Sequence, residues 1–330
     1  MTSRTQRAVN AGRTNDIQGT IVRVISAPSS ISWISPEDNS TFNIGCDATF
    51  PEIIFEFYSD MPPPYLWNWE IKWEAKSSGL RERARRGRVI RTFSKAGDFS
   101  STEKRWQLNV GEEIIGGDLT VSVNVGGGLI RRTVKIRGEN PSAEDVSSYI
   151  NSIENLEGFD KFLEQEKRNK HFINFDNEPV VAFDGGYGIT QMTNPIPTYE
   201  QVWNWKKNID GGSDLYIQKR KNAQNYLGKD GRTYTEEQLQ HETISRWNGG
   251  AYHEWNESEQ QWQRKSNILC DSQTGNIGWD TTNPSNQDRT EEELHDRDHE
   301  QYSMGGAGQD DEHPTDSGVW SFWCAGSKSV

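Results

Sequence analysis

The chain has no run approaching the ~20 consecutive apolar residues that cross a bilayer. Its opening residues, MTSRTQRAVNAGRTNDIQGT, lack the apolar core of a secretory signal. Neither membrane insertion nor Sec export is therefore expected. Cysteine is scarce: Cys46, Cys270 and Cys324 are the only three in 330 residues, too few for a disulfide framework or a four-cysteine zinc site. A single Cys270–Cys324 bridge and two buried thiols both fit the spacing. Repeats of about 20–50 residues are absent, which excludes a solenoid or propeller. An excess of positive charge is lacking too. Residues 1–140 carry 19 Lys and Arg against 16 Asp and Glu, but residues 141–330 carry 17 against 33. Phosphate binding needs a cationic surface, so no nucleic-acid partner is expected for the acidic half. The one dense basic run, Arg81 to Arg91 (RERARRGRVIR), reads as a solvated loop or edge strand.

Large aromatics are what the chain has instead. Mean hydropathy is only -0.89, yet 13 Trp, 10 Tyr and 12 Phe supply enough buried area per side chain to argue for a folded protein. The length predicts two domains. Residues 1–20 read as a flexible tail. Residues 21–138 show short alternating runs: Trp67, Trp69, Ile71 and Trp73 fall on one side of a strand, and Leu119, Val121, Val123 and Val125 repeat the pattern. Turns at Ser35-Pro36-Glu37-Asp38-Asn39 and Val125-Gly126-Gly127-Gly128 separate such runs. Together they predict an all-β antiparallel sandwich that resembles an immunoglobulin-like module. It carries no catalytic constellation and reads as a spacer or docking module.

Arg137 to Ser142 reads as a linker, and residues 139–330 as a second, mainly helical domain. Thr198 with Gln201, and Thr235 with Gln238, form capping-box patterns. Gly211-Gly212 reads as a stop between these helices. Beyond about Asn256 the sequence predicts an irregular tail rich in Asp, Asn, Gly and Ser.

Chemistry concentrates in this second half. Residues 156–166 read as an amphipathic helix with Phe159, Phe162 and Leu163 as its apolar stripe. Glu166 falls on that stripe, whereas Glu164 faces the charged side, where it can pair with Arg168. A carboxylate at the edge of an apolar face loses hydration, its pKa rises, and it becomes suited to donate a proton near neutrality. Glu166 is the candidate acid; a helix-end glutamate turned into solvent is the structural alternative. There follow a glycine-rich turn with a Gln, Phe183-Asp184-Gly185-Gly186-Tyr187-Gly188-Ile189-Thr190-Gln191-Met192, and a helix end carrying an aromatic-Asn pair, Arg246-Trp247-Asn248-Gly249-Gly250.

These three pieces, in this order, resemble the motifs of the lytic transglycosylases and goose-type lysozymes. The resemblance implies a lysozyme-like fold for residues 139–330. It places Glu166 at the catalytic position, Gly188 and Gln191 in the Gly-x-x-Gln motif, and Trp247, Asn248 and Gly250 in the last motif, where Trp247 stands for the usual Tyr. Lys167 replaces the Ser that commonly follows the glutamate. The strings TNPIPTYEQVWNWKKNIDGG, ETISRWNGGAYHEWN, ILCDSQTGNIGW and ELHDRD look like those of wall-degrading effectors delivered by type VI or related contractile injection machines. That likeness implies cleavage of the β-1,4 bond of peptidoglycan in a target periplasm, with a loading partner and an immunity protein and without a cofactor.

Cleaving a glycosidic bond needs a proton on the leaving oxygen, which Glu166 would supply. If Asp184 faces Glu166 across a cleft, it supplies the second carboxylate of a hydrolase. If Asp184 caps the Gly185-Gly186 turn, a single-glutamate transglycosylase is favoured, in which the muramic 6-hydroxyl attacks. Gln191 and Asn248 offer amides to the N-acetyl group and ring hydroxyls. Tyr187 and Trp247 are the chosen stacking faces; Trp203, Trp205 and Tyr252 also qualify, although each fits a core equally well. His295 and His299, four apart, read as a solvated helix rather than a metal site. Asp271 to Asn276 lacks the glycine and terminal glutamate of a calcium loop. The alternative function is a non-catalytic glycan-binding or structural component of a phage-tail-like particle.

Overall fold

A computed structural model describes residues 31–76, 89–154, 156–165, 170–173, 176–182, 185–247, 250–270 and 278–304. Eight strands come first: β1 (Ile31–Ser35), β2 (Thr41–Ile44), β3 (Ile54–Ser59), β4 (Tyr65–Lys76), β5 (Val89–Ser101), β6 (Arg105–Gln107), β7 (Gly117–Val125) and β8 (Gly128–Gly138). Helices α1 (Ala143–Asn151), α2 (Phe159–Gln165), α3 (Tyr199–Trp203), α4 (Trp205–Leu227) and α5 (Glu236–Trp247) follow. The described chain then forms two short ribbons, β9 (His253–Asn256) with β10 (Gln261–Arg264) and β11 (Ile268–Leu269) with β12 (Trp279–Asp280), and ends on α6 (Glu291–Met304).

The strands make two sheets, β1-β3-β6 and β2-β8-β7-β4-β5. Alternation sets the register of the larger one: Trp67, Ile71 and Trp73 of β4 and Leu119, Val121, Val123 and Val125 of β7 are buried, while their neighbours point outward. At one end of this apolar face, Trp67 stacks on Phe99 at 5.9 Å and meets Phe57 and Trp33 edge-on at 5.4 and 6.1 Å. Such aromatic pairs add roughly 0.5–1.5 kcal/mol each beyond the area they bury.

The expected division into an immunoglobulin-like sandwich and a mainly helical lysozyme-like domain is overturned. The chain is 27% helix and 34% strand, with a five-stranded mixed sheet and only a small helical region behind it. The sheet is mixed because β2 runs parallel to β8, pairing Thr41 with Lys135. A further departure follows from strand length. β4 and β5 have 12 and 13 residues and reach about 40 Å at 3.3 Å per residue. The opposing β1, β3 and β6 have only five, six and three. The uncovered end of the long strands is closed by residues from later in the chain: Trp203 meets Trp73 at 5.5 Å, and Tyr187 and Tyr199 meet Phe93 at 6.0 and 5.4 Å. Phe172, Val181, Tyr187, Val202 and Trp203 thus share one apolar cluster with the sheets.

The segment after β8 is tied down on both sides. Arg137 is buried and bonds to the Gly117 carbonyl and to Asp118, and it pairs with Glu178 at 3.2 Å. The Trp73 indole N–H also donates to Glu178, at 2.8 Å. Asn140 accepts from the backbone N–H groups of His171 and Phe172, both at 2.8 Å.

Two local expectations fail. Gly211-Gly212 does not end a helix; α4 runs through it for 23 residues. A Cβ on Gly211 would lie 2.5 Å from the Gln201 amide, and one on Gly212 2.5 Å from Thr190 Cγ2. The glycines therefore admit neighbours to the helix surface instead of breaking it. The region past Asn256 is not irregular throughout, because Trp262 is buried against Ala223, Leu227 and Leu239 and so fixes the β9/β10 ribbon. The basic segment 81–88 and residues 271–276, which lack the features of a calcium loop, lie outside the described residues.

Candidate functional site

The motif-bearing segments meet around one apolar cluster. Phe159, Phe162 and Leu163 bury the stripe of α2 against Ile189, Trp205, Ile209 and Tyr216, with Trp247 packed on the same cluster. Helix α1 enters it through Val146 and Ile150, its start fixed by a reciprocal Ser142–Asp145 capping box. The contact that joins two motifs is Phe162 against Trp247, ring centroids 4.4 Å apart. Ile189, inside the glycine-rich turn, brings the third motif to the same place.

Glu166, Asp184 and Asn248 lie outside the described residues, as do Phe183 and Gly249. The described chain reaches the residue before Glu166 and the residue before Asn248: α2 closes at Gln165 and α5 at Trp247.

The turn itself is built tightly. Gly185, Gly188 and Gln191 take positive φ values of 87°, 67° and 50°. Tyr187 N–H donates to the Met192 carbonyl at 3.1 Å, and Gly188 N–H to the Val180 carbonyl at 3.0 Å. Gly188 can be nothing larger: a Cβ there would stand 2.6 Å from His171 Cε1 and 2.8 Å from Asn208 Nδ2. Gln191 turns its carboxamide inward. Its Nε2 donates to the Gly188 carbonyl at 2.5 Å, and a Cβ on Gly186 would lie 2.9 Å from its Oε1.

The aromatic residues sort differently from expectation. Tyr187 is 3% exposed and closes the sheet core against Phe93, so it offers no free face to a sugar. Burial raises the pKa of its phenol against the opposing pull of Arg91. Trp203, Trp205 and Tyr252 are buried as well. Trp247 is half-buried, one side covered by Phe162.

Two buried polar groups beneath the site were not anticipated. His171 is fully buried, with Nε2 2.8 Å from the Val202 carbonyl, and desolvation pushes its pKa down to about 3. The ring is therefore neutral and carries its proton on Nε2. Asn208 on α4 bonds to both ends of the turn, with Nδ2 3.1 Å from the Tyr187 carbonyl and Oδ1 2.9 Å from the Thr190 N–H.

A third polar centre fixes the end of α5. Glu242, with no exposed surface, accepts from the backbone N–H groups of Tyr252 and His253 at 3.1 and 3.0 Å. It also lies 3.2 Å from His253 Nδ1 and 2.8 Å from the Arg246 guanidinium. Burial would raise its pKa, but the bonds from His253 and the charge of Arg246 outweigh that and hold it below the ordinary carboxylate value. The helix end that leads to Asn248 is thereby locked to β9.

No group of three or more potential metal ligands occurs among the described residues. No protein-family model matches the chain, and no curated protein matches it either.

Proposed function

We propose that the chain is a peptidoglycan-cleaving glycosidase, a lytic transglycosylase or muramidase, with Glu166 as general acid and base. One observation supports this above the others: α2, the Gly188–Gln191 turn and the end of α5, separated in sequence by up to about 80 residues, pack on a single apolar cluster. A proton donor following α2, a backbone turn and an amide following α5 suit attack on one glycosidic oxygen. The motif resemblance supplies the substrate, a glycan strand of the bacterial wall, and the effector-like strings support an injected antibacterial role.

The test is a Glu166→Gln variant assayed on purified sacculi. Release of soluble muropeptides should fall at least 100-fold, the usual loss when a general acid is removed, with the thermal midpoint unchanged. Mass spectrometry of the wild-type products separates anhydro ends, made by a transglycosylase, from reducing ends made by a hydrolase. The inward-turned Gln191 and buried Tyr187, which take two expected sugar contacts out of reach, favour, as the second reading, a non-catalytic structural particle component. That reading wins if the variant lyses walls as well as the wild type, or if neither lyses them.

A further inference from the structure

Beyond β10 the chain buries very little. Among residues 266–270 and 278–297 only Asn286 and Leu294 are buried. Strands β11 and β12 have two residues each, pairing Ile268 with Asp280 and Leu269 with Trp279, and an isolated two-stranded ribbon is marginal at best in water. The bonds around it are polar and local. Asn267 Nδ2 donates to Asp280 Oδ1 at 2.7 Å, Asn286 Nδ2 to the Asp280 carbonyl at 2.9 Å, and the Arg297 guanidinium to the Ser285 carbonyl at 2.9 Å. Each such bond adds little net stability, because water competes for the same groups. A segment below about 40 residues with so small a core usually needs a covalent or metal staple.

Cysteine supplies one. Cys270, directly after β11, is disulfide-bonded. The returning chain runs tightly beside it: Gly278 has a φ of 84°, and a Cβ there would lie 2.7 Å from Cys270 Cα. Cys46 is free and exposed, in a loop whose carbonyl at that residue accepts from the Trp205 indole N–H at 2.8 Å. The chain has one other cysteine, Cys324. We infer that Cys270 is bridged to Cys324 and that the bridge is a redox latch: it closes residues 270–324 into one loop, keeps β11, β12 and α6 ordered, and confines the mature chain to an oxidising compartment. A cross-link removes extended conformers from the open state and so favours the ordered one. The two thiols form the bridge by exchange with a disulfide oxidant, protein or small molecule. One thiolate attacks the oxidant to give a mixed disulfide, and the second displaces the oxidant's remaining sulfur; the oxidant leaves as two thiols holding the two electrons and the two protons. A reducing cytosol runs the same exchange backward. None of this depends on the proposed glycan cleavage.

Two measurements on the full chain test the latch. In the first, the chain is equilibrated with oxidised glutathione, alkylated without reduction and digested for mass spectrometry. Cys46 should carry the alkyl group or a single glutathione, and Cys270 and Cys324 should be recovered as one linked peptide pair; after reduction all three should alkylate. A linked pair holding Cys46, a bond to a second copy of the chain, or an alkylated Cys270 in the oxidised chain overturns the inference. In the second, limited proteolysis compares the wild type with and without reductant, beside Cys324→Ser and Cys46→Ser. Cleavage within residues 266–304 should accelerate about tenfold or more on reduction, and by as much in Cys324→Ser without reductant, while β1 to β10 stay protected. Cys46→Ser should match the wild type in both states. Reduction needs no variant, so it carries the test alone if Cys324→Ser fails to fold. Equal cleavage of the oxidised and reduced wild type, or loss of protection throughout the chain on reduction, would show that the bridge does not act as this latch.

Discussion

Between β1 and β8 the buried side chains are Trp, Phe, Tyr, Ile, Leu, Val and Ala, with only Ser59 and Arg137 polar among the described residues. After β8 the described core also takes in His171, Thr190, Asn208, His241, Glu242 and His253. A sheet face holds its shape through volume and alternation, and apolar groups of the right size suffice. A turn with three positive-φ residues and a helix end leading into a loop cannot be held so. Their backbone groups need partners, and a buried partner costs free energy unless it is fully bonded. The difference assigns the roles: the sheets are scaffold, and the later segment is where one particular shape is required.

The comparison is sharpest at single residues. Trp67→Ala, in the sheet core, should cost about 3–5 kcal/mol by opening a cavity. Trp67→Phe should cost only about 1–2 kcal/mol, because the lost indole N–H has no hydrogen-bond partner among the described residues. Urea unfolding measures both; equal losses would show that the sheet core is not governed by volume.

Glu242→Gln changes almost no volume, yet it should cost about 3 kcal/mol, since it removes the charge that answers Arg246 and places amide hydrogens against existing donors. That figure is at the low end for a broken buried pair because the Arg246 side chain keeps 24% exposure and can rehydrate. A calorimetric midpoint within a degree of wild type would remove the distinction between the halves.

Acid should act on the two regions unequally, though more weakly. All six histidines fall between His171 and His313. Burial holds His171 near pKa 3; burial, with the neighbouring His253, holds His241 near 4. The unfolded chain takes up these protons near pH 6.5 and the folded chain resists. Stability is therefore full above pH 6.5 and falls as pH drops toward 4 for His241 and 3 for His171, by up to about 1.4 kcal/mol per pH unit for each ring. Glu242, whose folded pKa is lowered, adds a loss once pH falls below its unfolded value. Hydrogen exchange at pH 7.5 and 5.5 should show α4 and α5 losing protection before β4 and β7. Parallel loss in all four would mean that the buried imidazoles do not control the later half.

Much of the local structure was legible from the sequence. Alternation gave the buried faces of β4 and β7, i,i+3 spacing gave the stripe of α2, and Thr198–Gln201 and Thr235–Gln238 form the reciprocal caps their spacing predicts. The glycines at 211–212 misled, because a helix stop and a close approach need the same residue. Tyr187 misled as well: its place beside a motif says nothing of Phe93, 94 residues earlier. Asn208 and Glu242 had left a signal in polar residues on otherwise apolar helix faces, but their partners follow from no spacing.

What the sequence determined alone was periodicity: which residues alternate, which recur at a helical turn, where caps and turns fall. These are properties of a few consecutive peptide units, and near-neighbour sterics decide them. What covers the far end of β4 and β5, how β2 pairs with β8, and which amide braces the glycine turn were decided only in three dimensions. Each joins groups tens to more than a hundred residues apart, and only the closed core brings them within bonding distance.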